Sequence, residues 1–429
     1  MDFVSLNKGI KLISPEIGII KGLGKVARMS WDPFVYSYGI LPCNSKILGG
    51  ERYSGRSGGA GYNLKEAIET TLGEVIERYS SVFYDKNSLK KGGYKDFMNK
   101  AIHPKEFALF HPKQYSLPNF PFVPFTENIE IYWYPCTDLT YNKVTLYPAS
   151  LIFMPFTLDE NKIGYSTSTG MAGHYNFYKA ILTGIYEIIE RDAFVITWFQ
   201  ELDVPKIVIN ENIRKFISKF FPPYFDFHFF DITSDIDVPT VWGICIGEAE
   251  FGDFIAVGSA ARSSYSRAIK KVLKEIGQAI PYFRYFLEVR KKWNPVSFEE
   301  ITSFEDHSLF YIKRKDLRFV FDKWIKKEEE KEVEFKEEEK EIDIIKEIRR
   351  ILKIFRNKGY NVVCCNLTPP DVREAGFFAV KIMCPQLIPL HGNYNYGFFG
   401  GKRLYEVPEK LGYGAKEFDK LNKFPHPFP

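Results

Sequence analysis

Two segments of this chain are the same helix written twice. Residues 62–78 read YNLKEAIETTLGEVIER and residues 175–191 read YNFYKAILTGIYEIIER, identical at nine of seventeen positions without a gap. Any fold must therefore build one helical unit at least twice. In the first copy Leu64, Ala67, Ile68, Leu72, Val75 and Ile76 recur at three- and four-residue intervals, a stripe that faces a core. On the same wheel Glu74 falls at the stripe's edge and Arg78 inside it. An unpaired charge aimed at a core is costly, so these groups must meet opposite charge, metal or ligand there. In the second copy Phe177, Ala180, Ile181, Ile185 and Ile188 form the stripe. Glu187, Glu190 and Arg191 there take the places of Glu74, Glu77 and Arg78.

A fainter third copy, GSAARSSYSRAIKKVLKEIGQAI at 258–280, puts Glu275 and Gln278 at the positions of the paired glutamates when Ala268 is aligned with Ala67 and Ala180. The copies lie too far apart for a solenoid, whose period is roughly 20–50 residues. A duplication kept only for packing would leave Arg78 and Arg191 unexplained. Both main copies follow small residues, SGRSGGAG (54–61) and STSTGMAG (166–173). Such loops are expected to free backbone N–H groups at a helix N-terminus for a phosphate.

Clustered carboxylates repel unless a cation sits among them, and hard divalent ions with oxygen ligands are the common solution. A nucleoside triphosphate with two Mg²⁺ ions is close to neutral. Four glutamates would make its site negative, and the arginines restore balance and stabilise charge on a transferring phosphoryl group. No Walker loop competes: GIIKGLGKV (18–26) has the wrong spacing and Val26 where a hydroxyl is needed. The pattern points to a site for ATP and Mg²⁺.

The rest of the chain bounds the class. A net charge of +4 is too small for a nucleic-acid surface. With no signal-like N-terminus and no run of eighteen apolar residues, no membrane span is expected and the location is read as cytoplasmic. The aromatic share of 17% is assigned to the core. Six cysteines without C-x-x-C spacing are read as reduced core thiols. Runs such as EIYWYPC, KVTLYPASLIF, TVWGICIG, DFIAVGSAA and YNVVCCNLT read as strands between helices, a mixed α/β chain. The Lys/Glu-rich tract beginning at 326 is expected to be a solvated helix extension or a mobile excursion without a catalytic role, before a helix that Gly359 ends.

These pieces resemble the YcaO superfamily, and in particular its azoline-forming cyclodehydratase branch. The resemblance rests on GGAGYNLKEAIETTLGEVIERYS, STSTGMAGHYNFYKAILTGIYEIIERDAFVITW, AARSSYSRAIKKVLKEIGQ, the segment from CCNLTPPDV to EKLGY, and the terminal FPHPFP. It implies an α/β fold of the YcaO type, with internally repeated strand/helix units around an ATP-binding cleft. It also implies one domain over 1–429: a lead-in at 1–50, the repeated units at 51–320, a charged insertion at 326–345 and a C-terminal part at 360–429.

The implied activity is ATP-dependent conversion of Cys, Ser or Thr in a ribosomally made peptide to azolines. Peptide thioamidation and a non-catalytic ATP-binding scaffold are the alternatives. In this resemblance Glu74, Glu77, Glu187 and Glu190 hold Mg²⁺, while Arg56, Glu66, Arg78, Ser168, Arg191, Lys271, Glu275 and Gln278 serve the nucleotide. Pro425, Pro427 and Pro429 match the family's Pro-rich terminus, and the carboxylate of Pro429 joins Arg191 as catalytic. Two departures stand out: Ala60 where relatives carry Lys, with Arg56 as its substitute, and Lys179 where an acid is usual. Because the first motif begins by residue 54, a separate E1-like or leader-peptide-binding partner is expected. Relatives are commonly dimers, so a homodimer is a further partner to test.

Overall fold

The structure, a computed structural model, describes residues 4–51 and 57–428. Helix α1 (Val4–Ile10) leads into a sheet of β1 (Ile20–Lys25), β2 (Tyr36–Pro42) and β3 (Gly58–Gly61), followed by α2 (Leu64–Ser80). A six-stranded sheet takes β4 (Lys90–Gly92), β5 (Ile131–Asp138), β6 (Lys143–Pro148) and β7 (Met171–His174). After α3 (Phe177–Gln200), a third sheet takes β8 (Lys206–Ile207), β9 (Asp226–Asp231), β10 (Thr240–Ala249) and β11 (Gly252–Ala261), with α4 (Glu211–Phe220) between its first two strands. Next come α5 (Tyr265–Val289), α6 (Phe304–Lys313) and α7 (Ile344–Asn357). Strands β12 (Val363–Asn366) and β13 (Phe378–Met383) then enter the six-stranded sheet between β5 and β7, and α8 (Arg403–Lys410) follows. The runs read as strands fall on β5, β6, β10, β11 and β12, and the paired strands are antiparallel.

The three sequence copies become three strand–helix units closed into a ring. Each helix starts at a polar cap: Asn63, Asn176 and Ser264 accept from the amides of Glu66, Lys179 and Arg267 at 2.9, 3.1 and 3.2 Å. Helix α2 packs on its own strand β3 and on β7 of the next unit. Likewise α3 packs on β7 and β11, and α5 packs on β11 and back on β3. Bare glycine backbones let α2 meet β7: a Cβ on Gly173 would stand 2.3 Å from the carbonyl oxygen of Gly73. This crossing sets the Glu74–Arg78 turn beside the second unit.

Three sequence expectations about the helical units change. Of the small residues before the helices, 166–170 stay a turn, while 58–61 and 171–174 form strands β3 and β7 rather than open loops. Their glycines serve close packing, since a Cβ on Gly59 or Gly61 would lie 2.3 Å from the amide nitrogens of Thr71 or Ala67. The predicted stripe also loses Leu64, which is 49% exposed. Third, α3 is buried on all sides rather than amphipathic: from Gly184 to Gln200 only Glu187 and Arg191 keep partial exposure.

The Lys/Glu tract is neither a helix extension nor a loose excursion, but an extended strap. Its apolar residues follow a period of two, so Val333 and Phe335 are buried while their neighbours face out. Lys331 bridges to Ile207, Glu339 pairs with Arg267 and Lys270, and the Ser264 hydroxyl donates to Glu339. Helix α7 then follows, and Gly359 stands beyond its end at φ +73°. The aromatics are core, with Phe194, Trp198, Trp242, Tyr311, Phe321 and Trp324 packed in one cluster. All six cysteines are free and buried. Among the described residues, no helix is long and apolar enough to cross a membrane.

Candidate active site

The ring carries acidic turns of three helices into one region. Arg78 Nε stands 3.0 Å from Glu74 Oε1 and 3.5 Å from Glu77 Oε1. In the second copy Arg191 Nε stands 3.8 Å from Glu187 Oε1 and 3.6 Å from Glu190 Oε1. Each arginine reaches the carboxylates one residue and one turn before it, which is how a cation is tolerated at the edge of an apolar stripe. Glu190 is 3% exposed and accepts from Ser259 Oγ of β11 at 3.0 Å. On α5, Lys271 Nζ lies 2.6 Å from Glu275 Oε1. Among the described residues, Arg191 Nη1 and Glu275 Oε2 are buried without a hydrogen-bond partner.

The electrostatics show the units facing one another. Burial, then repulsion from Glu74 and Glu187 against the pull of Arg78, holds Glu77 well above the usual carboxylate range. Glu187 is raised by burial despite Arg191 and Arg78. Glu190 is pushed up to about 7 by burial, with Glu275 and Glu187 repelling and Arg191 and Arg262 opposing. Glu275 is lowered: burial is overcome by Lys271, then by Arg191 and Arg262.

These carboxylates are short of positive charge, and among the described residues two polar atoms buried beside them lack partners. Among the described residues, no three His, Cys, Asp or Glu side chains are grouped to hold a metal by themselves. Mg²⁺ commonly takes one or two carboxylates and completes its shell with phosphate oxygens and water. The donor set fits Mg²⁺ arriving with a nucleotide, not an all-protein cage.

The remaining sequence candidates spread around this centre. Glu66 accepts from the Tyr62 amide at 2.9 Å and pairs with Lys274 at 2.6 Å, tying the start of α2 to α5. Gln278 donates to the Gly58 carbonyl at 3.2 Å, which closes the ring between α5 and β3. Ser168 is half-buried in the turn before β7, its carbonyl accepting from Met171 N at 2.8 Å. Lys179 is exposed. Arg56 and Pro429 lie outside the described residues.

Sequence reasoning missed Lys381, a lysine within the apolar strand FAVKIM and only 3% exposed. Burial lowers it to about 7, with Glu187 and Glu77 opposing that shift. Its signal was a charged residue in an otherwise hydrophobic run. Also missed was the groove that holds the Pro-rich tail. The carbonyls of Lys423, Phe424, Pro425 and His426 accept in succession from Tyr394 Oη (2.8 Å), Trp198 Nε1 (3.0 Å), Tyr311 Oη (2.6 Å) and His307 Nδ1 (2.7 Å). Beyond them the Phe428 ring packs on Phe194, and the Arg191 guanidinium lies 4.3 Å from its centroid. Phe428 of the tail therefore lies against the second acidic turn.

Three buried histidines hold that tail. The His307 and His426 rings stack at 3.7 Å, with His391 beside them. His426 Nε2 must donate to the His391 carbonyl at 2.7 Å, and its Nδ1 accepts from Phe428 N at 3.2 Å, so the ring is neutral. Burial lowers His307 and His391 to about 3 and His426 well below its ordinary value. A depressed base contributes stability that is complete above about 6.5 and is lost as pH falls, by up to about 1.4 kcal/mol per pH unit for each ring. The raised Glu190 acts oppositely, its contribution being lost as pH rises from 4.5 to about 7. We therefore predict that His426→Asn flattens the loss of stability between pH 7 and pH 5 relative to the unmodified chain, measured by urea unfolding. Equal slopes would refute the assignment.

Comparison with known proteins places this geometry. Residues 58–388 match the family model described as YcaO cyclodehydratase, ATP- and Mg²⁺-binding. A solved structure described as a heterocyclase in complex with substrate and cofactor superposes with a TM-score of 0.78 at 23% identity, covering 99% of this chain and 57% of that one. A chain of the E. coli microcin synthetase McbBCD complex superposes with a TM-score of 0.58 at 16% identity, covering 95% of this chain and 96% of that one. An uncharacterized protein of Methanothermobacter thermautotrophicus is 26% identical over 191 residues, 43% of this chain and 46% of the relative. The chain thus spans about half the length of the curated relative and of the heterocyclase it matches. With the model matching well over half of its length, and with the fold matching as well, the chain belongs to the YcaO family.

Proposed function

We propose that the chain is an ATP-dependent peptide cyclodehydratase. A Cys, Ser or Thr side chain of a ribosomally made peptide adds to the preceding carbonyl carbon. The oxyanion takes the γ-phosphoryl group of ATP, and loss of phosphate leaves an azoline, with ADP and phosphate as the other products. Bound Mg²⁺ would supply charge neutralisation on the phosphates. Glu74, Glu77, Glu187 and Glu190 would hold it. Arg78 and Arg191 would balance the carboxylates and face the charge that develops on the phosphoryl group. The carboxylate of Pro429 would complete the site from the tail.

The observation that carries this reading is the pair of Arg-bridged acidic turns with Phe428 seated on Arg191. A likeness in fold to a chain of a synthetase complex supports a separate partner that presents the peptide, and the absence of a spanning helix among the described residues suits a cytoplasmic reaction. The test is mass spectrometry of a Cys/Ser/Thr-rich precursor peptide treated with ATP, Mg²⁺, this chain and its partner. Loss of one water per modified residue is expected. Exchange of oxygen for sulfur would instead indicate thioamidation, and ATP turnover unchanged by peptide and partner would overturn the reading.

A further inference from the structure

Lys381 sits on β13 opposite Met171 of β7, the strand that opens the second acidic unit. Its ammonium donates to Ser166 Oγ at 3.3 Å and to the Thr167 carbonyl, the two residues just before Ser168. An ammonium has three N–H donors, and these partners use two. Glu187 and Glu77 act on it through space, yet among the described residues no carboxylate lies within ion-pair distance of it. A buried cation without a paired anion is a net cost to a fold, and it persists where a ligand supplies the missing charge. Beside it is a cavity of about 70 Å³ whose lining includes Ser166, Thr167, Thr169, Ile188 and Lys381. Through Ile188 the lining also reaches α3, the helix that carries the second acidic turn.

When a metal ion holds the four glutamates of the two main turns ionised, they exceed Arg78 and Arg191 by two negative charges, an excess that suits the metal but repels a triphosphate. Lys381, protonated beside a bound anion, lowers that excess from β13.

We infer that Lys381 is a further binding residue of this site, its ammonium contacting a phosphate group of the bound nucleoside triphosphate from the β13 side. The inference rests on the reading of the site as one for ATP and Mg²⁺. Lys381→Gln can still donate to Ser166 and Thr167 but lacks the charge, so it separates charge from support of the turn. Binding of AMPPCP at saturating Mg²⁺, measured by calorimetry at pH 7, should weaken about tenfold, the scale of one charge-assisted hydrogen bond. Free Mg²⁺ should bind Lys381→Gln at least as tightly as the unmodified chain, because a repelling charge has gone. The melting temperature of the ligand-free protein should hold or rise. A change in AMPPCP affinity below about threefold, or parallel weakening of AMPPCP and Mg²⁺, overturns the inference. If Lys381→Gln does not fold, Lys381→Met takes its place with the same criteria. Failure of the unmodified chain to bind AMPPCP with Mg²⁺ would instead refute the nucleotide reading itself.

Discussion

Replacing Glu190 by Gln should reduce ATP-dependent modification at least about a hundredfold, the scale of losing one preorganised electrostatic contact in a buried site. The substitution should do so without unfolding the protein. Gln keeps the shape of the side chain and can still accept from Ser259 Oγ, which stands 3.0 Å from Glu190 Oε1. It removes a carboxylate that burial pushes up to about 7. A carboxyl raised in the folded state contributes stability below the unfolded value of 4.5 that is lost as pH rises through about 7, so at pH 8 the native Glu190 bears the cost of ionising in the interior. Glu190→Gln should therefore be as stable as the unmodified chain at pH 8, or more stable by roughly 1 kcal/mol. Activity and stability moving in opposite directions would mark a ligand-binding carboxylate. Near-normal turnover in Glu190→Gln would sink the catalytic reading and favour the scaffold alternative.

The second large effect concerns Arg403, the partner of Asp192, which follows Arg191. Arg403→Met should cost about 3–5 kcal/mol of stability, because it leaves the buried Asp192 charged without its ion-pair partner, while Asp235 keeps Lys358 at 2.8 Å. Arg403 is 2% exposed; its Nη2 lies 2.6 Å from Asp192 Oδ2 and 2.8 Å from Asp235 Oδ1, and its Nε lies 3.0 Å from Asp192 Oδ2. Asp192, fully buried, also accepts from the Ile388 amide at 3.0 Å. The network anchors α3 to α8 immediately after the Arg191 turn. Arg403→Lys should recover little, since an ammonium cannot reproduce the fork that spans both acids. Urea unfolding of the three proteins decides it, and a loss below about 1 kcal/mol in Arg403→Met would show the network to be dispensable.

The charged strap shows why part of the fold was hidden. Two buried residues in a run of lysines and glutamates, Val333 and Phe335, are too short a pattern to overrule a composition that reads as solvated helix. What fixes the strap is contact with Ile207, Ser264, Arg267 and Lys270, all distant in sequence. The glycines were misread for a related reason. Glycine before a helix suits a phosphate loop and a tightly packed strand equally well, and only the closeness of Gly59 to Thr71 or of Gly173 to Gly73 separates them.

By itself the sequence determined the three units, the family resemblance and the local E-x-x-E-R geometry. Those follow from helical periodicity and from spacing along one helix, which are local properties. Tertiary structure alone decided that each helix packs on the strand of the next unit, so that turns about a hundred residues apart share one field. It alone placed Lys381 against the 166–168 turn and threaded the tail past three neutral histidines to Arg191. Desolvation and charge repulsion depend on what packs around a group, and no spacing along the chain records that.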